Sequence, residues 1–175
     1  MDHGKLFRMN QIRIGYGNDI HRFAPDRKLF LCGCEIPCRL GGLLGHSDAD
    51  AAVHALIDAL LGALALGDIG HFFPDTDPAY KGATGEFLLT SVLSHEAFRE
   101  WSLGNLDMTI EAQEPKMAPY IQQMRENLAR IMKTEVDRVS IKAKTGEGLD
   151  AVGRKEAIKA SCVVLLVHNQ PDNNQ

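Results

Sequence analysis

Ile12-Arg13-Ile14-Gly15-Tyr16-Gly17 places a branched or aromatic side chain at every second position, the period of a half-buried β-strand. The chain therefore opens in β structure. Leu29 to Ile36, after a turn around Pro25-Asp26, reads as a second strand. Past a Gly-rich loop at 39–45, Ser47 is placed to cap a helix with Asp48 and Asp50 in its first turn, where carboxylates oppose the helix dipole. That helix is expected to run through Ala- and Leu-rich sequence to about Leu66, with Gly67 as its left-handed terminator.

Gly67 to Gly85 has neither helical nor strand periodicity, and a loop of that length in a compact domain is usually functional. A second helix is expected over Glu86 to Trp101. Leu106, Met108, Ile110 and Ala112 alternate with polar residues and give the clearest strand. Ile121, Met124, Leu128 and Ile131 recur at helical spacing, and strands at Val139 to Lys142 and Ala160 to Val167 flank a loop from Lys144 to Gly153. This order predicts an α+β fold: a mixed β-sheet with helices packed on one face. The other face also needs covering, and self-association through the sheets is the preferred cover.

At 175 residues the chain has the length of one domain, expected over 12–168 between an N-terminal extension (1–11) and a polar tail (169–175). A net charge of -4 without a Lys/Arg run argues against nucleic acid and anionic membranes as partners. The apolar run Cys162 to Val167 is far shorter than a membrane span, and the first residues form no apolar leader, so a cytoplasmic protein is expected. Cys32, Cys34 and Cys38 invite a zinc reading. Against it, Cys32 and Cys34 fall in the second strand, and Cys is commonly a small buried hydrophobe.

In extended backbone Asp19 and His21 emerge on one face, able to reach one metal ion. Asp50, His54 and Asp58 fall one turn apart on the first helix. Asp19, His21 and one further imidazole make a three-ligand zinc site with an open fourth position, the catalytic arrangement. Spacing leaves open whether His46 or His54 is that ligand. Asp50 or Asp58 is placed to hold the imidazole of His54 from behind. Gly146 and Gly148 around Glu147 suit a phosphate and its divalent ion.

Taken together, Arg13 to His21, Gly45-His46-Ser47-Asp48 through His54, Leu60 to Gly70, Phe73-Pro74-Asp75-Thr76-Asp77, Pro115-Lys116-Met117 and Gly153-Arg154 resemble the 2-C-methyl-D-erythritol 2,4-cyclodiphosphate synthase family over nearly the whole chain. The resemblance implies that Asp19, His21 and His54 bind Zn²⁺, that His46 and Thr145 stabilise the transition state, and that Glu147 binds a second ion, Mg²⁺ or Mn²⁺. It implies that Asp68, Ile69, Gly70 and Phe73 to Asp77 hold the methylerythritol phosphate, with Asp19, His21, His46 and Ser47 also against substrate. Ala112, Gln113, Glu114, Pro115, Lys116, Met117 and Ala118 match the cytosine-recognition segment, and Lys144, Thr145, Gly146, Glu147 and Arg154 the last substrate loop. In that loop Lys144 and Ala151 replace a hydroxyl and an aromatic of the common pattern. The implied partners are a cytidine diphosphate-linked small molecule and two further copies, in a homotrimer with sites between neighbours. The implied reaction releases CMP from 4-diphosphocytidyl-2-C-methyl-D-erythritol 2-phosphate. A zinc phosphohydrolase and a trimeric binding protein with structural metal are the rival readings.

Overall fold

In the computed structural model, which describes residues 11–169, the main strands and helices succeed one another as the sequence order predicts, with differences at several boundaries and short elements added inside expected loops, among them a strand at Gly42–Leu43 within 39–45. The expected extension and tail lie outside the described residues, except Gln11 and Asn169. A five-stranded sheet has the order β4-β1-β7-β5-β6, formed by β1 (Ile12–Ala24), β4 (Gly42–Leu43), β5 (Trp101–Glu111), β6 (Val139–Lys144) and β7 (Ala157–His168). β5 and β6 run parallel and every other pair antiparallel, so the sheet is mixed. Helices α1 (Ala51–Ala63), α3 (Gly85–Leu93) and α4 (Ile121–Met132) cover one face.

β1 has the expected alternation in the opposite phase. Ile14 is 65% and Tyr16 59% exposed, while Gly15 and Gly17 are the buried positions. The cause is the proximity of α1. A Cβ on Gly15 would lie 1.8 Å from the carbonyl oxygen of Ala59, and one on Gly17 2.2 Å from that of Ala55. Only residues without a side chain let this buried helix lie so close to the strand, so the apolar residues of β1 are turned to the open sheet face. Ile12, Ile14, Tyr16 and Ile20 are exposed there, and Tyr16 pairs in register with Val163, also exposed.

The expected second strand is a hairpin, β2 (Leu29–Leu31) and β3 (Cys34–Ile36), joined at Cys32-Gly33. Both turn residues have positive φ, as a two-residue hairpin turn of primed type requires. The buried Asp50 carboxylate accepts hydrogen bonds from the N–H groups of Cys32 (3.0 Å) and Gly33 (2.6 Å), and from Val53 (3.0 Å) as the N-cap of α1. Asp50, not Ser47, therefore caps the helix, because Ala49 at φ +58° interrupts any helical run from Ser47. At its other end α1 stops at Ala63: Ala65 takes the left-handed conformation and Leu66 N–H closes on the Leu61 carbonyl, before Gly67 is reached.

The loop from Gly67 to Gly85 contains a short helix α2 (Ile69–Phe72) and a 3₁₀ turn at Pro78–Tyr80. α3 ends eight residues before the expected Trp101. His95 caps a separate 3₁₀ turn over Glu96–Phe98, and Trp101 already belongs to β5. The loop after β6 is interrupted by α5 (Asp150–Gly153).

Candidate metal centre and substrate cavity

Along β1 the positions that face α1 continue from Gly15 and Gly17 to Asp19 and His21, and α1 offers His54 to them one turn beyond its Asp50 cap. Asp19 Oδ2 lies 2.9 Å from His21 Nε2 and 3.0 Å from His54 Nδ1, and the two ring nitrogens are 3.2 Å apart. The rings meet edge to face at 5.3 Å. Among the described residues this is the one group of three His, Cys, Asp or Glu side chains whose donor atoms converge on a point. The histidine left open by spacing is thus His54. The cysteines form no such group; all four are free thiols, three of them buried.

The second nitrogen of each ring fixes how the first presents itself. His21 Nδ1 donates to the Leu44 carbonyl at 2.7 Å, leaving Nε2 with its lone pair toward Asp19. His54 Nε2 lies 3.2 Å from Ser47 Oγ, which also accepts from the Ala49 N–H at 3.1 Å. With Nε2 as the donor, the lone pair of His54 Nδ1 points at the same spot. Two imidazole lone pairs and a carboxylate oxygen, each held from behind, fit a divalent metal with an open position. The orienting group is Ser47, not Asp50 or Asp58: Asp50 is spent on the hairpin and helix cap, and Asp58 accepts from Ile69 N–H at 2.8 Å.

In the metal-free centre, where ring N–H groups in place of those lone pairs face the carboxylate, burial opposes ionisation of Asp19, but the hydrogen bonds from His21 and His54 and their charge overcome this and hold its carboxyl well below the usual range. Burial likewise pulls the His21 imidazole down, and the Asp19 carboxylate more than offsets it, raising the pKa above its ordinary value. Burial pushes the Asp58 carboxyl up.

The triad opens into a cavity of ≈ 470 Å³ lined by Asp19, His21, His46, Ser47, His54, Ile69, Gly70, Phe73, Pro74 and Asp75, with Gly45, Asp58, Tyr80 and Leu88. His46 Nε2 donates to the Asp77 carbonyl at 3.2 Å. Asp68 caps α2 through the His71 N–H (2.9 Å), and Thr76 is exposed. The structure thus brings the expected zinc ligands and most of the methylerythritol-phosphate residues together. Asp58 was legible only as part of a helix stripe, and Tyr80 and Leu88 carried no signal because nothing but folding brings them to the triad.

The remaining expected residues do not line this cavity. Ala112, Gln113, Glu114, Pro115, Lys116, Met117 and Ala118 follow β5, and Lys144 ends its parallel neighbour β6 with Thr145, Gly146 and Glu147 after it, the two segments tied by the Ala112 N–H to the Lys144 carbonyl at 2.9 Å. Glu114 is clamped by Arg39 (2.7 Å) and Lys155 (2.6 Å), whose hydrogen bonds lower its pKa to about 2. Thr145 donates to Glu147 at 2.6 Å, and Arg154 pairs with Glu156 at 3.0 Å. Glu147 stands apart from the triad, so one chain carries the expected site in two separate pieces.

A mixed sheet with one helical layer and an Asp-His-His group at the mouth of a cavity defines an α+β protein with a candidate metal centre. The chain belongs to the YgbB family, whose model matches residues 12–167. It is similar to the 2-C-methyl-D-erythritol 2,4-cyclodiphosphate synthase of Trichlorobacter lovleyi, 57% identical over 156 residues that cover 89% of this chain and 99% of the relative. The synthase of the same name from Brachyspira hyodysenteriae is 55% identical over 155 residues, covering 89% and 98%. A solved structure of a 2C-methyl-D-erythritol-2,4-cyclodiphosphate synthase in a CDP-bound form aligns with a TM-score of 0.80 at 43% identity, over 88% of this chain and 99% of that one. The chain is an enzyme of this family, with the cyclodiphosphate-forming lyase role in isoprenoid biosynthesis.

Proposed function

We propose that the chain, as a single catalytic domain over 12–168, converts 4-diphosphocytidyl-2-C-methyl-D-erythritol 2-phosphate to 2-C-methyl-D-erythritol 2,4-cyclodiphosphate and CMP. The observation that carries this reading is the Asp19-His21-His54 triad at the mouth of a cavity lined by His46, Ser47, Ile69, Gly70 and Phe73 to Asp75. An oxygen of the 2-phosphate attacks the β-phosphorus. The bond from that phosphorus to the oxygen bridging it to the α-phosphorus breaks, and CMP leaves with the bridging oxygen. A dianionic phosphate attacks without losing a proton, so no general base is required, and the residues chiefly orient the two phosphates.

Asp19, His21 and His54 hold Zn²⁺, and Glu147 holds Mg²⁺ or Mn²⁺; bound there, such ions neutralise and polarise diphosphate oxygens. His46 and Thr145 stabilise charge on the transferring phosphorus. Asp68, Ile69, Gly70 and the Phe73 to Asp77 loop hold the methylerythritol phosphate. The segment from Ala112 to Ala118 binds cytosine, in keeping with the CDP-bound relative. Lys144, Gly146 and Arg154 contribute to the last substrate loop.

We further infer a homotrimer. A second copy supplies the separated half of the site and covers the exposed Ile12, Ile14, Tyr16, Ile20 and Val163. Four free thiols fit a reducing cytoplasm, and no helix among the described residues is long and apolar enough to cross a membrane.

The test is ³¹P NMR of the reaction run in ¹⁸O-labelled water. The expected products, cyclic diphosphate and CMP, carry no solvent oxygen. Label in a product phosphate would identify a metal-dependent phosphohydrolase, and no turnover a binding protein.

A further inference from the structure

The segment that passes over the metal triad, Leu44-Gly45-His46-Ser47, has no regular structure, yet every carbonyl in it is engaged. Leu44 accepts from His21 Nδ1 (2.7 Å), His46 from the Gly82 N–H (2.8 Å), and Gly45 and Ser47 both accept from one side chain, Arg27. Arg27 Nη1 reaches the Gly45 carbonyl at 3.1 Å and Nη2 the Ser47 carbonyl. The two arms of one guanidinium thus grip the backbone on either side of His46. The segment itself is pressed against the centre: a Cβ on Gly45 would come within 3.2 Å of the His21 ring and 2.9 Å of the Ala49 side chain.

We propose that Arg27 is a positioning residue for catalysis, holding His46 and Ser47 in register with the metal centre and the substrate phosphates. This rests on the function proposed above. Arg27 does not line the substrate cavity, forms no ion pair among the described residues, and comes from the loop between β1 and β2. Its hydrogen bonds to the segment serve to immobilise backbone that carries two cavity side chains. A planar fork suits this task because its two donors have fixed spacing, which one ammonium cannot reproduce. With the clamp gone, the neighbouring bonds of Leu44 and His46 keep the loop attached, while His46 and Ser47 gain freedom. Misplacement of reacting groups by about 1 Å costs on the order of 100-fold in rate.

The test compares Arg27→Ala and Arg27→Lys in the full metal-loaded chain. Expected for both is a fall in kcat of about 10- to 100-fold, about 1.4 to 2.8 kcal/mol of barrier. KM should stay within about threefold, since most of the cavity's substrate contacts come from Ile69, Gly70 and Phe73 to Asp75, which the clamp does not hold. With zinc in excess, metal content should match the parent chain, Tm should fall by only about 4–8 °C for the two lost hydrogen bonds, and added guanidinium ion should restore part of the kcat of Arg27→Ala. Against a His46→Ala/Ser47→Ala background the same Arg27→Ala change should cost less than about threefold, because the residues it acts through are gone. An unchanged kcat, loss of metal and Tm in step with activity, or an undiminished penalty in that background would each overturn the proposal. Full activity of the His46→Ala/Ser47→Ala chain by itself would instead refute the roles assigned to those two residues, and Arg27 with them.

Discussion

Gly17→Ala tests the fold and the metal centre together. In the native chain the added Cβ would stand 2.2 Å from the Ala55 carbonyl oxygen, 2.6 Å from Ala59 N and 2.7 Å from Asp58 Cβ. Carbon–oxygen contacts settle at about 3.3 Å or more, so β1 and α1 must part by about 1 Å. Backbone atoms on the helix side leave no flexible side chain to yield. Overpacking of this kind costs about 3 kcal/mol, and in a chain of this size that is a fall in Tm of roughly 6–12 °C. The separation acts on the same two elements that carry Asp19 and His21 on one side and His54 on the other. Metal–ligand distances tolerate only about 0.2 Å. Gly17→Ala should therefore bind zinc weakly, in step with its loss of stability. Gly62 supplies the control, because it is exposed near the end of α1 and a Cβ there would meet only the Tyr16 carbonyl oxygen at 3.9 Å. Gly62→Ala should stabilise the chain by about 0.5–1 kcal/mol and leave zinc unaffected. Thermal unfolding and zinc analysis on both variants decide the matter. A Gly17→Ala chain with full zinc and a Tm within about 2 °C of the parent would refute the close-packing argument.

Zinc uptake should release a proton near pH 6.5. In the metal-free chain the Asp19 carboxylate raises the His21 pKa above its unfolded value of about 6.5. The pair's stabilisation is therefore full below that pH and fades as pH rises through the raised value, whereas metal binding needs the neutral ring. Calorimetric titration in buffers of different ionisation heat should find proton release shrinking toward pH 9, and release that does not vary with pH would contradict the pairing. Glu147→Gln should slow turnover by about 100-fold with zinc retained, because the second ion loses its carboxylate; an unimpaired variant removes Glu147 from the reaction. Ile14→Glu sets a charge in the exposed apolar face of β1, and light scattering should report single chains without activity. A fully active trimer of Ile14→Glu would place the subunit contact elsewhere.

The local patterns of the sequence were enough for most of the succession of elements along the chain, for α4 and for the pairing of Asp19 with His21, because periods of two and of three to four residues are properties of the backbone alone. They were also enough to offer three histidines and several carboxylates for a metal. Which of them met was a matter of tertiary packing: His54 joins the triad because α1 lies against Gly15 and Gly17, while His46 is carried across it on a loop. The same packing reversed the buried phase of β1. Alternation says that a strand has two faces, and only the neighbour at van der Waals distance decides which face is covered. Ser47 and Asp50 exchanged their expected roles for a similar reason. A left-handed Ala49 moved the helix start to Asp50, whose carboxylate was then taken by the N–H groups of the hairpin, and Ser47 was left to meet His54. The sequence also contains both halves of the expected substrate site, but β5 and β6 hold one half away from the cavity, so within a single chain the sheet's width keeps them apart.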